Sequence, residues 1–146
     1  MNDPAGVDPI IVTRWLEFET DVGSVRDITG DVCEAVLGSG LEEGIATIFV
    51  PGATGAVTTL EHEEGLVRDL GDALERLVPE EIEYAHNERW HDGNGHSHVR
   101  ASLIGPSLTL PFSGQSPVLG TWQQIVFLEL DTRPRHRRVM VQILGE

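Results

Sequence analysis

Lysine is absent from this chain, and all ten of its basic residues are arginine. They face 24 aspartate and glutamate residues, which gives the 146-residue chain a formal net charge of −14. Nucleic acids and anionic membranes bind basic surfaces, so this balance argues against either as a main partner. An acidic, lysine-free composition suits a salt-rich cytoplasm, where ions screen the repulsion between carboxylates. We therefore predict a halophilic source.

Cysteine and long apolar runs are also scarce. The single Cys33 excludes an internal disulfide framework and an all-cysteine zinc site, and we expect it to be a small buried apolar residue. No segment approaches the ~18 consecutive apolar residues of a membrane-spanning helix. The first ten residues are acidic and proline-rich, unlike a signal peptide. We predict a cytoplasmic protein with a flexible leader over residues 1–9 and one domain over 10–146.

The periodicity of the apolar residues predicts an α+β domain. Alternation from Ile10 to Asp21 indicates a half-buried strand, whereas leucines spaced four, four and three residues apart indicate a helix from Leu66 to Val78. Other apolar segments predict strands over 45–50, 56–61, 108–112, 121–130 and 138–144, and helices near 32–37 and 97–104.

The order of these elements predicts how they pair. Residues 125–128 are apolar without alternation, so we expect this strand to be buried on both faces. A short turn at 132–134 predicts that the last two strands form an antiparallel hairpin. The chain is thus expected to fold as a single α+β domain with a mainly antiparallel sheet and about three helices.

Histidines concentrate in a glycine-rich segment that we predict to be a loop over 87–95 and its flanks. Four of the six lie within thirteen residues: His86, His91, His96 and His98. Imidazole titrates near neutrality and is a common metal ligand, so this cluster is the strongest chemical signal in the sequence. Glycines before His96 allow either extended backbone, which would aim His96 and His98 to one side, or a helix, which would separate them. The alternative is that these are surface histidines, and we assign His91 and His136 to that interpretation.

Charged residues near this cluster offer further candidates. Glu61 ends a predicted strand and could act as metal ligand or general base. Arg100 could meet an anionic substrate, or form a salt bridge with one of many carboxylates. The only cluster of basic residues in the sequence comprises Arg133, Arg135, Arg137 and Arg138. This cluster could bind a phosphate or a neighbouring subunit's carboxylates, or it could form a solvated turn.

Two segments resemble a known family. The first runs over 92–107 and contains Asn94-Gly-His-Ser-His98; the second runs over 119–131 and contains Leu119-Gly-Thr-Trp-Gln123. Both, in this order, closely resemble the YjbQ-like family, and the likeness extends from about Thr13 to the end of the chain.

This resemblance implies an α+β fold that assembles as a homotrimer, with a histidine-containing pocket near the subunit boundary. It also implies a secondary thiamine-phosphate synthase activity, which couples a pyrimidine diphosphate to a thiazole phosphate and releases pyrophosphate. The family motifs fall on Tyr84 with His86, Asn94 with His98, Glu61, and Trp122 with Gln123.

From the resemblance we expect a divalent metal ion, zinc or magnesium, held by His86 and His98. Many relatives have His-Thr-Thr where this chain has Gly52-Ala-Thr54, so His96 is expected to replace the missing ligand. Glu61 is a further possible ligand, and Arg100 would contact the substrate diphosphate.

The resemblance also implies roles for Asn94, Trp122 and Gln123. Asn94 would orient a ligand or the substrate, and Gln123 would contact the substrate beside Trp122. Trp122 would either stack on a heteroaromatic ring of the substrate or lie in the core, and we favour the core position. Two alternatives remain open: a non-catalytic trimer that binds a metal or a small phosphorylated metabolite, and a metal-assisted hydrolase.

Overall fold

The structure, a computed structural model, describes residues 8–146. The predicted leader over 1–9 therefore lies outside the described residues except for Asp8 and Pro9, which precede the first strand. Within 8–146 no helix is both long and apolar enough to span a bilayer. The described elements are, in chain order, β1 (Ile10–Thr20), β2 (Val25–Asp27), α1 (Thr29–Leu37), β3 (Glu43–Phe49), β4 (Gly55–Leu60), α2 (Glu64–Leu77), α3 (Ala85–Trp90), α4 (Gly95–Ile104), β5 (Ser107–Ser113), β6 (Ser116–Pro117), β7 (Gln124–Glu129) and β8 (Arg135–Gly145).

The strands form two antiparallel sheets, one with the order β1-β8-β3-β5-β6 and one with the order β2-β7-β4. This confirms the predicted α+β class and the antiparallel pairing. The strands lie in two sheets rather than in the single sheet that was predicted, and the predicted hairpin between the last two strands is wrong. β7 pairs with β2 and β4, whereas β8 pairs with β1 and β3 in the other sheet. The turn at 132–134 is therefore a crossing between sheets, because each strand has two other partners within its own sheet.

The core lies between the two sheets and is completed by α1. Phe18 of β1 meets Phe127 of β7 edge to face, with ring centroids 5.3 Å apart. Ile125 and Phe127 point into this core, and Val126 and Leu128, also buried, point to the opposite face, where α4 packs against β4. The prediction that this strand is buried on both faces is confirmed.

Four helices are described in the structure, one more than predicted. α2 begins two residues earlier than expected, because the Glu63 carboxylate accepts hydrogen bonds from the N–H groups of Gly65 and Leu66 and caps it. α3 lies where a loop was predicted. It has only six residues and ends at His91, whose φ of 54° stops the helix, so it is too short to show helical periodicity.

A notch forms where the chain crosses from one sheet to the other. β8 pairs with β1 along all eleven of its residues, but it pairs with β3 only from Met140 to Gly145. β3 ends at Phe49, and residues 50–54 then lead to β4 of the other sheet. The first half of β8 consequently has an open edge, and the crossover segment 50–54 lies beside it.

The outer face of the five-stranded sheet is uncharged over three cross-strand rows. Each row takes one residue from each of β1, β8, β3 and β5, as the strand registers require. The rows are Ile11, Leu144, Ile45 and Pro111; Thr13, Gln142, Thr47 and Thr109; and Trp15, Met140, Phe49 and Ser107. We refer to these twelve residues as the uncharged sheet face.

Candidate functional site

A cavity of about 630 Å³ occupies the notch beside β8. Its walls are formed by the crossover segment, the first half of β8, the start of α4 and Asp131, which follows β7. The lining residues that carry polar or aromatic chemistry are Trp15, Thr54, Asn94, His98, Asp131, Arg135, His136, Arg137 and Arg138. The volume suits a small metabolite.

The inner wall rests on a buried ion pair. Arg137 donates from Nε to Glu129 at 2.8 Å and from Nη2 to the other carboxylate oxygen and to Thr54. The Glu129 side chain is fully enclosed and that of Arg137 is 9% exposed. Thr20 donates a third hydrogen bond to Glu129 at 2.7 Å. This network fixes the crossover segment against β8, and with it the shape of the cavity.

Asp131 forms a second polar centre in the wall. Burial by itself raises the pKa of this carboxyl, but hydrogen bonds from the Thr132 N–H and the Thr54 hydroxyl outweigh it. Arg135, at 3.1 Å, adds its positive charge, so the pKa of Asp131 lies below its ordinary value. Asp131 is therefore an anion at neutral pH and holds Arg135 in place.

The outer rim joins the cavity to the uncharged sheet face through Trp15. Arg138 lies over the Trp15 ring at 4.4 Å and donates to Glu17 at 2.9 Å. His136 was predicted to be an ordinary surface histidine, and its position agrees with that prediction only in part. It is exposed and hydrogen-bonded to Glu19, which raises its pKa, yet it also lines the cavity.

Three of the predicted site residues come together at the α3–α4 corner. The rings of His86 and His98 lie 4.4 Å apart, centroid to centroid, and His98 lines the cavity. Nδ1 of His86 lies 3.5 Å from Asp92. When its amide nitrogen is turned toward Asp92, Asn94 donates to that carboxylate at 2.9 Å.

The helices can meet this closely because residue 95 is glycine. A Cβ there would lie 2.5 Å from the Cβ of Tyr84, and the Gly95 N–H donates to the Asn87 side chain at 2.8 Å. Gly95 thus allows the start of α4 to pack directly against Tyr84 and Asn87.

His96 does not lie with this pair in the structure, and its expected role as the ligand missing at Gly52 stays a prediction. It is 3% exposed and faces Tyr84, with ring centroids 6.3 Å apart. Burial lowers its pKa, which favours the neutral ring. His96 and His98 lie on one helix, where residues two apart point in different directions.

The residues fit the expected metal ion only in part. Within residues 8–146 no group of three or more histidine, cysteine, aspartate or glutamate side chains is placed to hold a metal. His86 and His98 supply two imidazoles, whereas catalytic zinc sites take three protein ligands. The described residues of one chain therefore supply two of the three protein ligands of such a site.

Arg100 serves the fold rather than the cavity. Its guanidinium donates to the carbonyl oxygen of Val78 from Nε at 3.0 Å and to Glu75 at 2.6 Å. These contacts tie α4 to the end of α2. Of the two roles considered from sequence, the salt bridge is the one that the structure contains.

Glu61, Trp122 and Gln123 cluster at the opposite end of the three-stranded sheet. β4 starts beside the cavity at Gly55 and ends at Leu60, a span of roughly 17 Å at the usual rise of a strand. Glu61 follows that end, and Gln123 donates to Thr59 at 3.0 Å. Trp122 is 72% exposed, so the expected core position for it is wrong. Within one chain these residues do not line the cavity.

Glu129 and Thr54, which build the inner wall, were not among the predicted site residues. A signal for Glu129 was present: a single carboxylate follows four consecutive apolar residues in a strand predicted to be buried on both faces. A charge in such a position requires a buried partner. No comparable signal marks Thr54, whose role depends on the crossover between the sheets.

These features define a single-domain α+β protein with two antiparallel sheets and an arginine-lined, small-molecule-sized cavity at their crossover. The family described as UPF0047 protein YjbQ-like matches residues 14–146, and the chain belongs to it.

Similar proteins share both sequence and fold over most of the chain. A UPF0047 protein of Methanothermobacter thermautotrophicus is 42% identical over 120 residues, which cover 82% of each chain. The crystal structure of a YbjQ-like protein of unknown function from Sulfolobus solfataricus P2 matches with a TM-score of 0.84 at 31% identity, covering 94% of this chain and all of that one. A hypothetical protein from Aeropyrum pernix K1 matches with a TM-score of 0.80 at 33% identity, covering 91% of this chain and 99% of that one.

Proposed function

We propose that the cavity binds a small phosphorylated metabolite and that the chain couples a pyrimidine diphosphate to a thiazole phosphate, as the YjbQ-like resemblance implies. One observation carries the proposal. Three of the four arginines in the cluster of basic residues, Arg135, Arg137 and Arg138, line the same cavity as His98. They do so in a chain with a net charge of −14.

The local charge balance supports an anionic ligand. Each of the three arginines has one carboxylate partner, namely Asp131, Glu129 and Glu17 respectively. The cavity wall is therefore near neutral, while the molecule as a whole is strongly negative. An anion is repelled less here than elsewhere on the surface, and it meets guanidinium donors of the geometry that phosphates prefer.

The proposed reaction requires little acid–base catalysis by the protein. The thiazole nitrogen forms a bond to the pyrimidine methylene carbon as the bond from that carbon to the diphosphate oxygen breaks. Pyrophosphate leaves with the electron pair. Catalysis then consists of holding the two rings in register and stabilising the departing charge. Arg135 and His98 line the cavity where these tasks would be performed.

The test is an assay of thiamine-phosphate formation by the purified chain. We expect product from the wild type and a loss of about 100-fold or more in kcat/KM for His98→Ala and for Arg135→Ala, typical of removing charge stabilisation. His62→Gln is the matched control, because His62 is exposed, does not line the cavity, and makes its ring hydrogen bond with the carbonyl oxygen of Val25. Absence of product from the wild type, or full activity of the double variant His86→Ala/His98→Ala, would overturn the proposal.

We also propose that copies of this chain associate as a trimer through the uncharged sheet face. Two copies that each carry a charge of −14 repel one another, so a contact between them favours a surface without charges. The uncharged sheet face supplies twelve such positions, including Trp15, Ile45 and Phe49, which are about two-fifths exposed. Trp15 also lines the cavity, so this association would place the cavity at a subunit boundary.

A second candidate function is non-catalytic binding of a divalent cation. It is favoured by the His86 and His98 rings, 4.4 Å apart, and by Nδ1 of His86, which lies 3.5 Å from Asp92 but makes no hydrogen bond of good geometry among the described residues. The remaining ligands would come from another copy or from a bound metabolite. Calorimetric titration with zinc separates the candidates: zinc binding that is lost in His98→Ala, without turnover of the proposed substrates, supports this one.

A further inference from the structure

Arg137 has one guanidinium nitrogen that the protein does not use. Nε and Nη2 donate to Glu129 and Thr54, whereas Nη1 donates to no acceptor among the described residues. The side chain is 9% exposed, and Arg137 lines the cavity. A guanidinium held rigidly by its other two nitrogens therefore offers a fixed donor at the cavity wall.

The space in front of this donor is kept open by Gly52. A Cβ on residue 52 would lie 3.5 Å from Nη1 of Arg137, so any longer side chain would extend over this nitrogen. Gly52 does not have a positive φ, so its backbone does not require glycine. The missing side chain leaves room for a ligand atom rather than satisfying a turn.

A second guanidinium group, that of Arg135, lines the same cavity. Arg135 uses Nη1 for Asp131 at 3.1 Å, and its side chain is 35% exposed. Its other nitrogens have no acceptor among the described residues. Both guanidinium groups are already neutralised by one carboxylate each, so they are held in place without a ligand, and an arriving oxyanion needs no reorganisation of the wall.

We infer that Nη1 of Arg137, opened by Gly52 and joined by Arg135, forms a phosphate subsite, and that Gly52 is the specificity-determining residue which admits the phosphate group. This assignment rests on the proposed function and deepens it, because it identifies where the diphosphate of the substrate would be anchored. A side chain at position 52 closes the subsite without touching the bonds that hold Arg137.

The experiment is calorimetric titration of the purified chain at constant ionic strength with inorganic phosphate, pyrophosphate and acetate. We expect pyrophosphate to bind more tightly than phosphate, and acetate to be the weakest. Gly52→Leu should weaken pyrophosphate binding by about tenfold or more, as expected when a charge-assisted hydrogen bond is blocked. Gly71→Leu is the matched control, because Gly71 is exposed on α2 with no atom near its Cβ position; its affinity should stay within about twofold of the wild type.

Thermal unfolding of each variant checks the fold. If Gly52→Leu lowers the melting temperature more than Gly71→Leu does, Gly52→Ala decides, since its Cβ makes only an ordinary contact with Arg137; a measurable loss of pyrophosphate affinity is then expected. Unchanged pyrophosphate affinity in a folded Gly52→Leu, no binding of pyrophosphate by the wild type, or acetate binding as tightly as phosphate would overturn the subsite.

Failure of the subsite and failure of the proposed function give different results. Pyrophosphate binding that Gly52→Leu abolishes, without any thiamine-phosphate formation, upholds the subsite and refutes the reaction. Thiamine-phosphate formation that pyrophosphate inhibits equally in the wild type and in Gly52→Leu upholds the reaction and refutes the subsite.

Discussion

Arg137 on β8 and Glu129 at the end of β7 form a two-pronged ion pair between the two sheets, and the glutamate is fully enclosed. This pair links the sheet that carries the arginines to the sheet that follows the crossover segment.

Glu129→Gln should therefore destabilise the protein by about 3–5 kcal/mol, because it leaves the Arg137 charge buried without compensation. Urea denaturation followed by circular dichroism measures the change. Glu17→Gln is the comparison, since Glu17 pairs with Arg138 at the surface and its loss should cost under about 1 kcal/mol. Equal effects of the two substitutions would show that the buried pair does not hold the sheets together.

Substitutions on the uncharged sheet face should dissociate the proposed trimer. We expect the wild type to sediment at three times the 16.0 kDa of the chain, and Phe49→Glu or Ile45→Glu to sediment as smaller species, because each would bury like charges between copies. Leu103→Glu, on the exposed side of α4, should leave the assembly intact. A monomeric wild type at all concentrations contradicts the proposal.

The stability of the protein should fall slightly as the pH rises above 6.5, and His136 should account for part of that fall. Its hydrogen bond to Glu19 and the charges of Glu19 and Glu17 raise its pKa in the folded state. Such a group stabilises the fold fully below its unfolded pKa of about 6.5, and the contribution is lost as the pH rises through the folded pKa.

Melting temperatures between about pH 6 and pH 9 test this, within the range where histidine titrates. Arg138, on the same strand, shares Glu17 and stays charged throughout. His136→Gln should flatten the profile, whereas His62→Gln should preserve it. A wild-type profile identical to that of His136→Gln would contradict the assignment.

The melting temperature should rise by several degrees from low to molar sodium chloride. Repulsion among 24 carboxylates, opposed by only ten arginines, destabilises the folded state at low salt, and ions screen it. An uncharged osmolyte such as sucrose serves as control, since it stabilises folds without screening charges. A melting temperature unchanged by salt would count against the halophilic interpretation of the composition.

Local patterns predicted most of the elements of this fold, because each depends on residues close in sequence. The leucine spacing located α2, and the unbroken apolar run located β7 as a strand buried on both faces. The pairing of β7 and β8 could not be predicted in this way. Both strands are suitable for a hairpin by local pattern, but β8 pairs instead with β1 and β3, each more than eighty residues earlier in the chain.

The site residues likewise divide into those that local sequence predicted and those that depend on distant contacts. The resemblance and the histidine density brought together His86, Asn94 and His98, which the structure places at one corner. Spacing alone could not decide whether His96 faces His98 or Tyr84, because the answer depends on a helix starting at Gly95. The inner wall could not be predicted for a similar reason, since Glu129 and Thr54 contact Arg137 only because the chain crosses between the sheets.

The alternation along β8 makes strand alignment and the proposed ligand recognition inseparable in this protein. Arg137 points inward with Val139 and Val141, while His136 and Arg138 point outward. A shift of β8 by one position would exchange these sets, moving the enclosed guanidinium into solvent and stranding Glu129. Evolution of a new ligand preference here can therefore proceed by changing side chains along the crossover segment, but not by sliding the strand that carries the arginines.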